Sequence, residues 1–479
     1  VSHAHNDELR ANLRAALFWT AIATLLLAVR LAHLDVLWVD EAYGLAAARR
    51  LLEGERLYSG LWFDKPPLYA WVYAAIGAHT GLALRLLGTT FALLCVWLSH
   101  RAAARLFTEP AAPWLAAGLT AFFLSFDHPV ALLSLAPDLL LLPFTLAAAW
   151  AIAAGRPFTA GLLAGLGLLA HPRALLLLPV LFAFCWSGSL RDLARGALRV
   201  TAGFAAAALL THFAAAGWEE PVWTWGFLYS RDTFVEQPLL EGLRRTANWA
   251  GFHLALIAGA ALFLWRTRDA RLPWIVWMLA AFAMVAAGAR FFPRYYLALL
   301  PLFVLMTARA LAALSPRVRA ALLIVTLAVP AIRFGRGHWG IATGAPHARR
   351  DLALFDDCRD AATLLRAQAQ LGDSLFVWGY RPELNVLANL PGATPFLDSQ
   401  PLTGVLADRH LNTPRATAPE IAARQRPRLL ATRPTFIADG LGPLQPPLAI
   451  TQFADLRDWF AHYEPIGETR GFRLYRRRP

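Results

Sequence analysis

The chain has 479 residues, 57% of them hydrophobic and 16% charged, with 45 lysines and arginines against 32 aspartates and glutamates. A mean hydropathy of +0.45, gathered into discrete apolar runs of about 15–22 residues, exceeds what a soluble core absorbs and excludes a soluble globular protein. The net charge of +13 lies mostly in short arginine clusters between those runs, as anionic headgroups and the positive-inside rule require, so nucleic acid is excluded as the partner. Of the three cysteines, Cys95 and Cys185 lie in apolar runs and Cys358 in the polar C-terminal part, which gives no disulfide framework.

The first apolar run, residues 15–31, follows Arg10 and Arg14. It is longer than a signal-peptide core and has no convincing cleavage site, so it reads as an uncleaved first span. Asp40 and Glu41 follow side by side, ahead of Tyr43, and about 25 residues later comes Phe63-Asp64-Lys65-Pro66-Pro67-Leu68. Carboxylates at a membrane surface are costly unless solvated, paired or used. Lys65 is the only lysine among the 45 basic residues, which marks its place beside two prolines.

Residues 68–80 read as a helix at the interface, 85–106 as the second span, 113–126 as the third and 139–153 as the fourth. Pro137 and Asp138 open that fourth span. Residues 158–186 are too long for one span, and His171-Pro172-Arg173 interrupts them, so they read as two short helices meeting at a break. Arg191, Arg195 and Arg199 then share a side with Arg10, Arg14, Arg101, Arg105 and Arg156. After a span at 200–217, a loop over 218–246 carries Trp218, Trp223, Trp225 and Tyr229, which suit headgroup level. Spans at 249–265, 272–289, 297–314 and 320–332 complete a set of roughly eleven, with the amino terminus cytoplasmic and the carboxy terminus outside. Arg266, Arg268, Arg271, Arg317 and Arg319 fall on the cytoplasmic side, and Arg290-Phe291-Phe292-Pro293-Arg294-Tyr295 on the outer one.

From about residue 334 the composition changes, dividing a membrane part, 1–334, from a polar part, 335–479. Helical patterns at 349–370, 418–424 and 451–461 mix with short strand patterns at 374–379, 394–398, 435–439 and 472–476. That mixture predicts a small α/β domain outside the membrane. It carries neither GxGxxG nor GxxxxGK, so no nucleotide is assigned to it.

Arg49, Arg50, Lys65, Arg85, Arg173, Arg231, Arg244, Arg245, Arg290 and Arg294 stand on the outer, disfavoured face. They are either paired with nearby carboxylates or kept for an anionic ligand. Carboxylates beside cations at the mouth of a helical bundle offer two chemistries. A carboxylate can take a proton from an incoming hydroxyl while cations hold a phosphate leaving group. Alternatively the carboxylates bind a hard cation or relay protons, as in a transporter. His128 and His171 read first as packing or headgroup contacts; His171 is kept, with Tyr43 and Asp138, as a candidate substrate contact.

Together, Asp-Glu-x-Tyr at Asp40, Glu41 and Tyr43, Lys-Pro-Pro-Leu from Lys65, the Pro-Asp of Asp138, and Arg-x-x-x-Arg-Tyr from Arg290 to Tyr295 resemble the GT-C membrane glycosyltransferases. The likeness is to the branch of the protein O-mannosyltransferases and lipid A aminoarabinose transferases. It covers about residues 10–330 and is less specific beyond. It implies a polytopic α-helical GT-C-like protein of the bacterial cytoplasmic membrane, with a periplasmic C-terminal α/β domain. It further implies transfer of a sugar, with inversion, from a polyprenyl-phosphate donor to a hydroxyl of a lipid, glycan or protein. Asp40 would be the base or orient the acceptor, and Glu41 would support it. Lys65, Arg290, Arg294 and Tyr295 would hold the donor phosphate. Asp138 would line the site or, with Asp40, bind a divalent metal, which members of the family use unevenly. The chain lacks the large domain inserted between spans of the eukaryotic mannosyltransferases, which counts against a protein acceptor of that kind. Its C-terminal domain is also smaller than a close aminoarabinose transferase would have. A transporter or flippase of a lipid-linked saccharide is the alternative; it calls for paired Gly/Pro-broken spans in two halves, whereas one break and no internal repeat are visible.

Overall fold

Apolar runs become helices because no water is present to satisfy their backbone groups otherwise. The computed structural model describes residues 2–228, 238–267, 271–346, 348, 352–412 and 414–479; Tyr229, Arg231, Arg268 and Arg349 lie outside them. Among the described residues, five helices are long and apolar enough to cross a bilayer: Asn6–Leu31, Leu82–Leu106, Leu190–Ala214, Pro293–Ala312 and Pro316–Ala342. Leu239–Phe252 and Leu254–Arg266 meet at 90° and make a sixth if counted as one span. Ala112–Phe123, Pro137–Ala153, Pro157–Leu169, Pro172–Phe184 and Leu272–Ala286 are shorter apolar helices of 10–17 residues. Each expected span therefore has an apolar helix, but only five or six have the length of an ordinary crossing. The chain is a multi-pass membrane protein.

Burial sorts these helices. The apolar window of Pro293–Ala312 is 83% buried, so it runs through the middle of the bundle, whereas that of Pro316–Ala342 is 11% buried. The latter turns Ile324, Val325, Val329 and Ile332 outward, a surface that suits lipid and not water. A polar chain ties the turn after the first helix to Pro316–Ala342: His33 Nε2 and His338 Nδ1 are 2.8 Å apart, and His338 Nε2 is 2.8 Å from the Ser125 carbonyl. Pro157–Leu169 lies against Leu190–Ala214 backbone to backbone. A Cβ on Gly161 would stand 2.0 Å from the Val200 carbonyl oxygen, and one on Gly203 2.1 Å from that of Phe158.

The polar part forms a four-stranded sheet, β1 (Leu375–Trp378), β2 (Phe436–Asp439), β3 (Tyr463–Glu468) and β4 (Arg473–Arg477), in the order β1-β2-β4-β3. β1 and β2 are parallel, and the other pairs antiparallel. Alternation along β1 sends Leu375 and Val377 to one face, against Cys358, Ala361 and Leu365 of helix Ala353–Gln368. Phe376 and Trp378 go to the other face, which Ile421 and Leu429 of helix Pro419–Leu430 cover together with Trp62 and Trp225 from the membrane part.

Several local expectations change. Residues 394–398 are not a strand: Phe396 makes one isolated bridge, to Trp62, because its apolar side chain packs on that tryptophan's core. The strand Tyr463–Glu468 was hidden by Pro465 and Gly467, between which the register shifts. Trp225 is fully buried beneath the sheet, while Trp223 is exposed. The helix at Leu68–Ala74 buries Tyr69, Ala70 and Tyr73 in the protein, where an interfacial helix would have turned them to lipid.

Candidate active site

The Asp-Glu pair opens helix Val39–Leu52. Consecutive helical residues point roughly 100° apart, so the two acids cannot face the same way. Glu41 turns inward. It is fully buried, accepts the Trp38 backbone N–H at 3.0 Å, and pairs with Arg85 at 2.5 and 3.0 Å. Arg85 also donates to the carbonyls of His33, at 3.1 Å, and Val36, at 2.7 Å. Glu41 thus anchors the helix start behind Asp40 and is not among the residues lining the cavity.

Asp40 turns outward. Its carboxylate accepts from the Arg294 guanidinium, and its backbone carbonyl from the Tyr69 hydroxyl. Arg294 Nε is also 3.6 Å from Asp138 Oδ2. Asp138 Oδ1 receives Arg173 Nη1 at 2.8 Å and lies 3.6 Å from His171 Nε2. The Arg173 guanidinium lies 4.0 Å from the centroid of the Tyr295 ring and donates to the Ala287 carbonyl at 3.0 Å. The turn before Pro293 is strained: Ala289 and Phe291 both have positive φ, 53° and 49°, on either side of Arg290. Arg245 donates to the Arg290 carbonyl at 2.9 Å and holds that turn in place.

Across from these groups lies the lysine loop. Lys65 Nζ donates to Asp64 Oδ2 at 2.5 Å, and its backbone carbonyl accepts the Tyr58 hydroxyl at 2.9 Å. Tyr43 is buried behind the loop, stacked on Phe63 at 5.3 Å and 5.4 Å from the Tyr380 ring. Lys65 Nζ stands 5.8 Å from the Tyr43 ring centroid. Tyr43 therefore props the lysine and does not line the cavity.

A cavity of about 410 Å³ is bounded by Asp40, Asp64, Lys65, Arg290, Arg294 and Gln400. A smaller one of about 100 Å³ shares Asp40, Lys65, Arg290 and Arg294 and adds Asp138, His171, Arg173 and Tyr295. A third, of about 1100 Å³, shares Val39, His128, Val130, Tyr380 and Ala407 with the first. Its remaining wall is largely apolar, with Leu37, Val329, Ile332 and Phe334, and with Arg333 and Arg336.

Asp40, Lys65, Asp138, His171, Arg290, Arg294 and Tyr295 thus meet around adjoining space; Glu41 and Tyr43 stand behind it. Most of the other cations expected on the outer face are held by protein groups: Arg50 by Glu55, Arg85 by Glu41, Arg244 and Arg245 by Glu241, and Arg49 by Asn389 and neighbouring carbonyls. Asp64, Tyr380 and Gln400 were not singled out beforehand. Asp64 was in plain view beside the lone lysine, but nothing local marks the other two.

Asp40 and Asp138 are the acids a metal would need, and both are engaged by Arg294. No group of three His, Cys, Asp or Glu side chains gathers for a metal among the described residues.

No protein-family model and no curated protein matches the sequence. Solved structures do match in shape. ArnT from Cupriavidus metallidurans bound to undecaprenyl phosphate superposes with a TM-score of 0.56 at 16% identity, over 96% of this chain and 97% of that one. The archaeal oligosaccharyltransferase AglB from Archaeoglobus fulgidus, in complex with an inhibitory peptide and a dolichol-phosphate, gives 0.52 at 11% identity, over 89% and 69%. The structure of the Archaeoglobus fulgidus oligosaccharyltransferase with Zn and sulfate gives 0.50 at 13%, over 89% and 68%. At these identities the likeness is one of fold, and the chain has the GT-C fold with a small C-terminal α/β part.

Proposed function

We propose that the chain is an inverting glycosyltransferase. It moves a sugar from a polyprenyl-phosphate-linked donor to a hydroxyl of a lipid, glycan or protein acceptor. Residues 1–334 form the catalytic membrane part and 335–479 an α/β domain on the outer face of the bacterial cytoplasmic membrane. One observation carries the reading: an acid, Asp40, and three cations, Lys65, Arg290 and Arg294, border one cavity that adjoins a large apolar groove. A lipid-linked phosphate needs both kinds of space. Two proteins of the same fold were solved with undecaprenyl phosphate or a dolichol-phosphate.

In this reading the acceptor hydroxyl gives its proton to Asp40 while its oxygen attacks the anomeric carbon from the face opposite the phosphate. The bond from that carbon to the phosphate oxygen breaks, and the phosphate leaves with the bonding pair. Lys65, Arg290 and Arg294 hold the charge that develops, so no general acid is needed. Arg294 has five N–H donors, enough to keep Asp138 while turning part of its fork from Asp40 to the phosphate.

The test is consumption of a polyprenyl-phosphate sugar by purified protein. Asp40→Asn should lower turnover by about 10²–10⁴-fold, because the amide keeps the shape but cannot take a proton, and it should leave polyprenyl-phosphate binding near wild type. Near wild-type turnover in that variant removes Asp40 from the role of base.

A further inference from the structure

We propose that Asp398, in the C-terminal part, is a positioning residue for the donor phosphate, acting through Asp64 to set how much of the Lys65 charge is left for an anion. The proposal rests on the reading of Lys65 as a phosphate contact and adds to it an acid from the opposite end of the chain.

The placement comes first. The Trp62 backbone N–H donates to the Pro395 carbonyl at 2.7 Å, and Trp62 bridges Phe396 in parallel. Asp64 follows that bridge by two residues on one segment and Asp398 by two on the other, and the Asp398 carboxyl feels the charges of both Asp64 and Lys65. Both acids are buried, at 4% and 2% exposure. Asp64 Oδ2 accepts from Lys65 at 2.5 Å, and the Tyr43 hydroxyl also interacts with the Asp64 carboxyl. Asp398 accepts the Gln400 backbone N–H at 2.7 Å and its side-chain amide at 3.3 Å. Gln400 in turn borders the cavity beside Lys65. Tyr43 and Tyr380 lie against both carboxyls, and burial pushes their hydroxyls further from ionising, so they add no charge.

The charges follow from the placement. Two buried carboxylates facing one ammonium leave one excess negative charge, whereas one carboxylate and one ammonium leave none. Burial, and after it the Asp64 charge, push the Asp398 carboxyl up to about 7; the Gln400 hydrogen bonds and the Lys65 charge pull the other way. Below that value Asp398 is neutral, and Lys65 is compensated once. Above it Asp398 is ionised, and an arriving phosphate meets a second negative charge behind the lysine. The contribution of Asp398 to phosphate affinity should therefore be flat below about pH 7 and turn unfavourable above it.

The experiment is titration of the purified full chain with undecaprenyl phosphate from about pH 6 to about pH 8.5, for wild type, Asp398→Asn, Asp398→Glu, Gln400→Ala and Lys65→Ala. Wild type should lose about tenfold more affinity over that range than Asp398→Asn, and Asp398→Glu should restore the slope. The phosphate's own second ionisation, near about pH 6, is common to all the proteins and cancels in the comparison. Gln400→Ala removes a donor to the charged form, so it should move the break to higher pH; this keeps the test decisive should Asp398→Asn unfold. Parallel profiles in wild type and Asp398→Asn, with Lys65→Ala still weak, overturn the role of Asp398 and leave that of Lys65 standing. Binding by Lys65→Ala equal to wild type overturns the phosphate reading itself, and this proposal with it.

Discussion

The cavity has two walls that are held in different ways. Asp40, Asp138, Arg173 and Arg294 hold one another through ion pairs between membrane segments far apart in the chain. Lys65 is paired with its own neighbour, and its loop is docked on the C-terminal sheet through Trp62. The first wall is positioned by electrostatics in a low-dielectric bundle, the second by apolar packing under a small domain. Damage to one wall should therefore spare the other, and that separation can be tested.

The largest effect is expected where a buried charge loses its partner. Arg85→Ala leaves Glu41 fully buried and uncompensated, at a cost of about 3–5 kcal/mol by thermal unfolding. Turnover should fall with it as Asp40 loses its footing, while phosphate binding to the remaining fold stays Lys65-dependent. Equal loss of both properties would show that the walls are one unit. Trp225→Ala acts on the other wall. It should cost about 3 kcal/mol, the low end for a buried tryptophan, because this side chain borders a cavity into which its neighbours can relax. Its signature should be early proteolysis of the C-terminal part and weaker phosphate binding; loss of stability in the bundle alone would contradict it.

Smaller effects sharpen the contrast. Lys65→Ala should remove a charge-assisted contact of about 1.5–3 kcal/mol, roughly 10- to 150-fold in donor affinity. Lys65→Arg should lose less but still fall short of wild type, since a planar fork does not replace a compact ammonium beside Asp64. Arginine matching lysine in both binding and turnover would make the lone lysine an accident of drift and leave the phosphate to Arg290 and Arg294.

The two walls also differ in how far the sequence reveals them. The apolar runs marked the membrane helices among the described residues, and the arginines read as facing outward marked the electrostatic wall, because charge in a membrane needs a reason and so leaves a trace. Adjacency of Asp40 and Glu41 in sequence becomes separation on a helix, which turns one toward Arg294 and the other toward Arg85. The packed wall left less. Residues 394–398 have the alternation of a strand, but Phe396 satisfies it by packing on Trp62 over three hundred residues away. Asp398 has no local signal at all, since its meaning lies in Asp64 and Lys65 at the other end of the chain.

Trp62 and Trp225 beneath the sheet also bear on the order of assembly. Synthesis runs from the amino end, so both tryptophans are threaded into the bundle well before Phe376, Trp378 and Ile437 leave the ribosome. The last-made layer then closes onto a seat that already exists, and its nucleus is inherited from the membrane. Cut free and expressed alone, residues 352–479 would present that unroofed apolar underside to water. Such a fragment should self-associate, and a severed sheet should regain a soluble, single state only when the bundle is supplied beside it.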